Sequence, residues 1–192
     1  MKKVGVLALQ GDFEAHSRAI ARAGAEAVLV RTPSDLEDLD GLVIPGGEST
    51  TMLKLLEVEG MFEPLAEFGR RRPIFGTCAG AILLASEVTH PVQQSLRVLD
   101  LAVERNGYGR QIDSRVAHIA PAPEFEQRTH PGDLEAVFIR APIIRRVGRE
   151  ARVLATYQGD PVLVEQGRHL VATFHPELSS DSRVHDLFVS KL

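Results

Sequence analysis

Cysteine is almost missing from this sequence of 192 residues, in which Cys78 is the single example. One cysteine excludes an internal disulfide framework, and it excludes a zinc site built from a cysteine cluster. The sequence also lacks any apolar stretch near the roughly 20 residues that span a bilayer. The apolar start of the chain is interrupted by Gln10 and Asp12, too early for a secretory signal. We therefore expect a cytoplasmic protein with no membrane contact.

An excess of positive charge is missing as well. The 22 basic residues are outnumbered by 26 acidic ones, which gives a formal net charge of −4. This balance predicts no nucleic-acid surface. Apolar residues make up 44% of the chain and charged residues 25%, as in ordinary globular proteins. The length suits one domain, so we expect residues 1–192 to form a single domain.

Short apolar strands alternate with helical patterns in the first half of the chain. Such alternation indicates βαβ units, and hence a parallel sheet with helices on both faces. The predicted strands are Val4–Leu9, Ala27–Val30, Leu42–Ile44 and Ile74–Phe75. The predicted helices are Phe13–Ala23, Thr50–Leu56 and Phe62–Gly69, with a further helix after Cys78.

The second half has many strand patterns and few long helices. The predicted strands are Leu96–Glu104, Ser114–Ile119, Ala136–Ile139, Val153–Tyr157, Pro161–Glu165 and His169–Phe174. Gly159-Asp160 and Gly167-Arg168 are interpreted as hairpin turns, and proline-rich Ala120–Gly132 as a loop or an excursion of the chain. Asp181–Val189 is predicted to be the closing helix, with Asp181 or Ser180 as its N-cap.

The expected fold class is therefore a single-domain, three-layer α/β fold. It is flavodoxin-like or Rossmann-like, with a mostly parallel sheet, helices on both faces and additional antiparallel strands in the second half. In such open sheets ligands bind beyond the carboxyl ends of the strands. Cys78 and the Gly46-Gly47 pair both follow predicted strands, so we expect both at this edge.

Cys78 lies in Gly76-Thr77-Cys78-Ala79-Gly80, between the apolar runs Pro73–Phe75 and Ala81–Ala85. The small flanking residues let the backbone turn sharply and present the side chain at the tip. This is the pattern of a nucleophile elbow, with sulfur in place of a serine hydroxyl. A position just before a helix also brings the sulfur near the positive end of the helix dipole. A lone buried cysteine can instead be a small apolar core residue, but the glycines favour the nucleophile.

A thiol nucleophile needs a base, and a histidine oriented by a third group is the usual one. His175 stands out among seven histidines because it ends a predicted strand in Phe174-His175-Pro176-Glu177-Leu178. Glu177 lies two residues on, so both side chains can project to the same side of an extended segment. We predict a catalytic triad of Cys78, His175 and Glu177. The alternative is a loop histidine beside a surface carboxylate.

An acyl-transfer site also needs hydrogen-bond donors for an oxyanion. The amide of Ala79, directly after the nucleophile, is one candidate. Gly47 is another, because the glycine pair in Pro45-Gly46-Gly47 leaves backbone N–H groups accessible at a strand end. The histidines show no His-x-x-x-His spacing. We therefore expect no metal, and we expect no cofactor.

Three motifs together resemble those of class I, triad-type glutamine amidotransferases: Pro45-Gly46-Gly47, Gly76-Thr77-Cys78-Ala79-Gly80 and His175-Pro176-Glu177. Further segments narrow the resemblance to the family of glutaminase subunits of pyridoxal 5′-phosphate synthases. They run from near the first residue to near the last, and they are Ala8–Gly11, Gly46–Thr51, Arg105–Gln111, Phe138–Pro142 and Phe174–Leu178.

The resemblance implies a reaction and a partner. Cys78 would attack the side-chain amide of L-glutamine, and the amides of Gly47 and Ala79 would stabilise the oxyanion. His175, oriented by Glu177, would protonate the departing ammonia, and water would then hydrolyse the glutamyl thioester to L-glutamate. The ammonia would pass through a tunnel to a pyridoxal 5′-phosphate synthase subunit, in a large hetero-oligomer that makes this form of vitamin B6.

The resemblance also implies a pocket for L-glutamine. Arg105 or Arg140 would suit its α-carboxylate, and Glu48 would suit its α-ammonium group. The expected pocket residues are Gly47, Glu48, Ser49, Arg105, Ile139 and Arg140.

Two other functions remain open from the sequence. One is a related hydrolase with an elbow cysteine, such as a γ-glutamyl hydrolase or a stress protein of similar fold. Glu48-Ser49 and the paired arginines speak against it. The other is a catalytically silent regulatory subunit, against which the complete set of Cys78, His175 and Glu177 speaks.

Overall fold

The computed structural model describes residues 1–106 and 115–192. Its helices are α1 (Phe13–Arg22), α2 (Ser49–Val58), α3 (Phe62–Arg71), α4 (Ala79–Leu84), α5 (Pro123–Arg128) and α6 (Arg183–Val189). Its strands are β1 (Lys3–Leu7), β2 (Glu26–Val30), β3 (Gly41–Ile44), β4 (Ile74–Thr77), β5 (Ala85–Thr89), β6 (Leu99–Glu104), β7 (Arg115–Ile119), β8 (Leu134–Phe138), β9 (Ile143–Val147), β10 (Ala151–Tyr157), β11 (Asp160–Gln166) and β12 (His169–Ala172). No helix among these residues is long and apolar enough to cross a bilayer.

Within the described residues, a seven-stranded sheet has the order β10-β11-β12-β4-β3-β1-β2. The neighbours from β12 to β2 run parallel, whereas β10 and β11 pair antiparallel at one edge. A three-stranded sheet, β5-β6-β9, and a two-stranded sheet, β7-β8, lie outside it. The expected mostly parallel sheet, with antiparallel strands from the second half of the chain, is confirmed.

Apolar side chains cover both faces of the main sheet. In β3, Leu42 and Ile44 pack in one core cluster with side chains of α2, α3 and α4, while Val43 packs in another with side chains of α1, α5 and α6. All three side chains are fully buried. A strand that buries both of its faces reads as a continuous apolar run, which is why this strand was visible in the sequence. The predicted three-layer α/β architecture is confirmed.

The register of the parallel strands brings three chain segments to one edge of the sheet. Ile44 pairs with Gly76 at the ends of β3 and β4, and Thr77 pairs with Ala172 at the ends of β4 and β12. The residues that follow these three strands therefore leave the sheet side by side. They include the glycine pair after β3, the cysteine after β4 and the histidine after β12.

The predicted loop over Ala120–Gly132 is wrong in its middle, where α5 forms. Pro123 is at the start of this helix, where its fixed φ suits the first turn and its missing N–H has no acceptor to lose. Phe125 is fully buried in the core cluster on that face. Pro123 thus begins a short helix instead of preventing one.

Other boundaries differ by a few residues. The first hairpin turn is Gln158-Gly159 rather than Gly159-Asp160, because Asp160 already pairs with Tyr157. Strands β5 and β9 were not predicted. Ser114, the predicted first residue of β7, lies outside the described residues.

Arg183, at the start of α6, is a buried cation that fastens a loop to this helix; it is 2% exposed. Its Nη1 donates to the carbonyl oxygens of His130 and Gly132, each at 2.9 Å. Its Nη2 donates to the carbonyl oxygen of Asp133 at 2.7 Å and to the carboxylate of Asp181 at 2.6 Å.

The closing helix begins at Arg183 with Ser182 as N-cap, so the predicted cap at Asp181 or Ser180 is wrong.

Removing the Arg183 guanidinium should destabilise the fold. Arg183→Met leaves three carbonyl groups without their guanidinium donor and leaves the Asp181 carboxylate with the backbone N–H of residue 183 as a donor, so the free energy of unfolding should fall by about 3 kcal/mol. Arg22→Met, at the exposed end of α1, is the matched control and should change it by less than about 0.5 kcal/mol. Urea denaturation followed by circular dichroism measures both. Equal stabilities of the two variants would contradict the role given to Arg183.

Candidate active site

Cys78 is the single residue between β4 and α4, and its backbone has φ 50° and ψ −108°. A residue with a Cβ pays about 1–3 kcal/mol for such a left-handed conformation, which persists only where the surroundings enforce it. The Cys78 N–H donates to the carbonyl oxygen of Ala172 at 2.9 Å, and so joins the turn to the end of β12. The sharp strand-to-helix turn predicted from the sequence is present.

Gly76 and Gly80 allow α4 to pack directly on the sheet. A Cβ on Gly76 would lie 2.6 Å from the backbone of Gly80. A Cβ on Gly80 would lie 2.1 Å from the carbonyl oxygen of Ile44. Both distances are far inside atomic contact, so the two glycines are required by packing around the turn as well as by its bend.

His175 follows β12 and is buried. Its backbone N–H donates to the carbonyl oxygen of Val137 at 2.8 Å. Its Nδ1 lies 2.6 Å from Oε1 of Glu177. Because a carboxylate only accepts, Nδ1 carries the proton, and Nε2 is the nitrogen left for the sulfur of Cys78. Glu177 belongs to a 3-10 turn, Pro176–Leu178, so the turn brings its carboxylate back to the ring. The expectation that His175 and Glu177 belong to an extended segment is therefore wrong.

The surroundings of His175 favour its charged form. Burial alone would lower its pKa, but hydrogen bonds and negative charge from Cys78 and Glu177 outweigh burial and raise the pKa from 6.5 to about 10. The imidazolium therefore persists at neutral pH between a sulfur and a carboxylate. This is the pairing that activates cysteine nucleophiles.

The raised pKa predicts a measurable pH dependence. The charged form stabilises the fold, so its contribution to the free energy of unfolding is complete below pH 6.5 and is lost as the pH rises toward about 10. Nitrogen NMR should show the His175 ring titrating near the upper value. Cys78→Ala removes one partner and should lower that pKa by at least about one unit. A wild-type pKa at or below 6.5 would contradict the arrangement.

The candidate oxyanion donors belong to two different chain segments, the loop after β3 and the first turn of α4. Ala79 is the first residue of α4, so its amide has no acceptor within the helix. Gly47 has φ 141°, and a Cβ there would lie 2.7 Å from Nε2 of Gln10. The same Nε2 donates to the carbonyl oxygen of Glu48 at 2.6 Å. Gln10 thus supports this loop, a role that the sequence did not reveal. The oxyanion role of Gly47 and Ala79 remains a prediction.

A pocket of about 420 Å³ opens onto Cys78. All six residues predicted to bind substrate line it, together with the proposed nucleophile and base. Ile82 and Asn106 were not predicted, although a position four residues after Cys78 on a helix lies on the same face. Ala79 and Glu177 are not among the lining residues. The lining is Gly47, Glu48, Ser49, Cys78, Ile82, Arg105, Asn106, Ile139, Arg140 and His175.

Glu48 places a fixed negative charge on the pocket wall. Its Oε1 accepts from the N–H of Thr50 at 3.0 Å, and its Oε2 accepts from the N–H and the hydroxyl of Thr51, both at 2.7 Å. Burial would raise the pKa of Glu48, but these hydrogen bonds lower it to about 2. The carboxylate thus caps α2 and stays ionised.

The two arginines of the pocket differ in their partners. Arg105 donates to the hydroxyl of Thr50 at 2.8 Å and lies 3.3 Å from the carboxylate of Glu48. Arg140 is exposed, and its side chain has no hydrogen bond or ion pair with another described residue. The rest of the Arg105–Gln111 motif beyond Asn106 lies outside the described residues. The described residues contain no group of three or more His, Cys, Asp or Glu side chains that could hold a metal ion.

The fold and the site define a class: an α/β protein whose elbow cysteine shares a pocket with a histidine that is paired with a glutamate. Known proteins are similar to this chain over nearly its whole length. The model of the SNO glutamine amidotransferase family matches residues 6–192. A protein of Solibacter usitatus named pyridoxal 5′-phosphate synthase subunit PdxT is 66% identical over 192 residues, 100% of both chains. A protein of the same name from Koribacter versatilis is 53% identical over 97% of this chain and 94% of its own.

A solved structure agrees. A crystal structure of a glutamine amidotransferase is similar with a TM-score of 0.88 and 44% identity, and the match covers 98% of this chain and 97% of that one. The chain belongs to the SNO glutamine amidotransferase family. The resemblance drawn from the sequence motifs is thereby confirmed.

Proposed function

We propose that this chain is the glutaminase subunit of a pyridoxal 5′-phosphate synthase. It hydrolyses L-glutamine to L-glutamate and ammonia, and a partner synthase subunit uses the ammonia. The observation that carries the proposal is that Cys78 and His175 line one pocket with one carboxylate and two guanidinium groups, while Glu177 holds the Nδ1 side of the His175 ring. Membership of the amidotransferase family and the full-length similarity to PdxT proteins support it. No observation favours the γ-glutamyl hydrolase or the silent subunit.

In the first half-reaction the sulfur of Cys78, as thiolate, attacks the carboxamide carbon of L-glutamine. The electron pair of the C=O bond moves onto oxygen, where the amides of Gly47 and Ala79 stabilise the charge. The C–N bond then breaks, and Nε2–H of His175 gives its proton to the leaving nitrogen, which departs as ammonia. Glu177 accepts a hydrogen bond from Nδ1, the other ring nitrogen, and so holds Nε2 toward the reacting groups. A glutamyl thioester remains on Cys78.

In the second half-reaction water hydrolyses the thioester. The neutral ring of His175 takes a proton from water at Nε2, and the oxygen attacks the thioester carbon. The C–S bond breaks, so Cys78 regains its thiolate and His175 its imidazolium. The acid product loses its proton to solvent and leaves as L-glutamate.

The charges of the pocket suit the two ends of an amino acid. Glu48 is ionised on the wall and suits the α-ammonium group. Arg105 is already engaged with Glu48 and Thr50, whereas Arg140 is exposed and has no partner among the described residues. Arg140 therefore binds the α-carboxylate, and Arg105 keeps Glu48 in place.

Glutamate release by the complex tests the function. The chain is purified with its synthase subunit, and glutamate formed from L-glutamine is measured for wild type and Cys78→Ala. The variant should be slower by at least about 1,000-fold, since it has no nucleophile. Added ammonium should still support pyridoxal phosphate formation by the variant complex, which shows that the partner is intact. Equal glutamate release by both complexes would contradict the proposal.

The arginine assignment predicts a change in KM. Arg140→Met should raise KM for L-glutamine about tenfold or more with little change in kcat, because a charge-assisted hydrogen bond of about 1.5–3 kcal/mol is lost. Arg70→Met, on the exposed side of α3, is the matched control. Initial rates of glutamate release against glutamine concentration give both constants. An unchanged KM for Arg140→Met would show that another group holds the carboxylate.

A further inference from the structure

A second histidine lies behind the proposed triad and has no part in the steps above. His16, in α1, is fully buried. Its Nε2 lies 3.3 Å from Oε2 of Glu177 and 3.1 Å from the hydroxyl oxygen of Thr77. Its Nδ1 lies 3.0 Å from Nε2 of His185, in α6. Helices from the same face of the sheet thus bring two imidazoles to the inner end of the triad.

The second oxygen of the Glu177 carboxylate needs a donor. Oε1 accepts from His175, whereas Oε2 is buried and has no well-aligned hydrogen bond within the described residues. A buried carboxylate oxygen without a donor is costly, more so than a neutral group. His16 is the group placed to supply one, because its Nε2 faces this oxygen at 3.3 Å.

The tautomer of His16 decides whether it can donate. Burial lowers the pKa of His16 well below 6.5, and electrostatic interactions with the rings of His185 and His175 lower it further. Burial and Arg22 lower the pKa of His185 to about 3. Both rings are therefore neutral at physiological pH, and each carries one proton.

Only one of the two tautomers of His16 satisfies its neighbours. With the proton on Nδ1, a lone pair on Nε2 would face the carboxylate of Glu177, and Oε2 would stay unpaired. With the proton on Nε2, the ring has a donor 3.3 Å from Oε2 of Glu177 and 3.1 Å from the hydroxyl oxygen of Thr77. Nδ1 then accepts a hydrogen bond from Nε2–H of His185.

We propose that His16 is a positioning residue for the glutaminase reaction, an inference that rests on the function proposed above. Its Nε2–H donates to Oε2 of Glu177, and His185 holds it in this tautomer. Fixed at both oxygens, Glu177 keeps Oε1 on the ring of His175 and so keeps the other ring nitrogen toward Cys78. His16 does not line the pocket, so it acts through Glu177 and not on the substrate.

A matched pair of substitutions separates the hydrogen bond from packing. His16→Gln keeps an N–H near the position of Nε2, whereas His16→Met has a similar length and no donor. In complex with the synthase subunit, His16→Met should lower kcat for glutamate release roughly tenfold and leave KM unchanged, as expected for one lost hydrogen bond. His16→Gln should restore most of the rate. Equal kcat values for the two variants, or a change confined to KM, would overturn the proposal.

Nitrogen NMR tests the tautomer without any substitution. In protein labelled with ¹⁵N at histidine, His16 should carry its proton on Nε2 and His185 should carry one on Nε2. A proton on Nδ1 of His16 would overturn the proposal, even if His16→Met did not fold. Wild-type release of glutamate no faster than that of Cys78→Ala would instead mean that the proposed function fails. An active wild type with an unaffected His16→Met removes only the role of His16.

Discussion

The backbone turn at Cys78 is the constraint on which the rest of the site depends. Cys78 has φ 50° because it is the single residue that connects β4 to α4. Gly76 and Gly80 clear the space that the turn needs, and the hydrogen bond to Ala172 holds it against β12. The turn directs the sulfur to the edge where β3 and β12 also end. The parallel register therefore brings His175 and the Gly46-Gly47 loop to the same edge as the sulfur.

From that turn, polar groups follow one another into the interior: a sulfur, an imidazole, a carboxylate and two further imidazoles. Histidines in this row show opposite pKa shifts, because their neighbours differ. His175 has two acidic partners, which raise its pKa to about 10. His16 and His185 lie deeper, and burial is the largest cause that lowers the pKa of each, although His16 also faces Glu177. One residue type thus supplies a charged ring at the pocket and neutral rings behind it, which suits proton transfer at one end and support at the other.

The sequence was sufficient for the parts of the molecule that local pattern determines. Buried strands such as β3, the glycines around Cys78 and the short span from His175 to Glu177 all leave a signal within a few residues. Tertiary contacts leave none. His16 lies beside Thr77, Glu177 and His185, which are 61, 161 and 169 residues away, so only the folded chain shows that a histidine of α1 meets the proposed triad. The helix α5 was missed for a similar reason, since burial of Phe125 by distant elements decides it.

Covalent trapping of Cys78 tests the central claim most directly. The complex with the synthase subunit is treated with an electrophilic analogue of L-glutamine, and the modified residue is located by mass spectrometry. The account predicts a single adduct on Cys78, with loss of glutamate release in proportion to the modification and protection by excess L-glutamine. An active complex that is modified at another residue, or that loses activity with Cys78 unmodified, would contradict it.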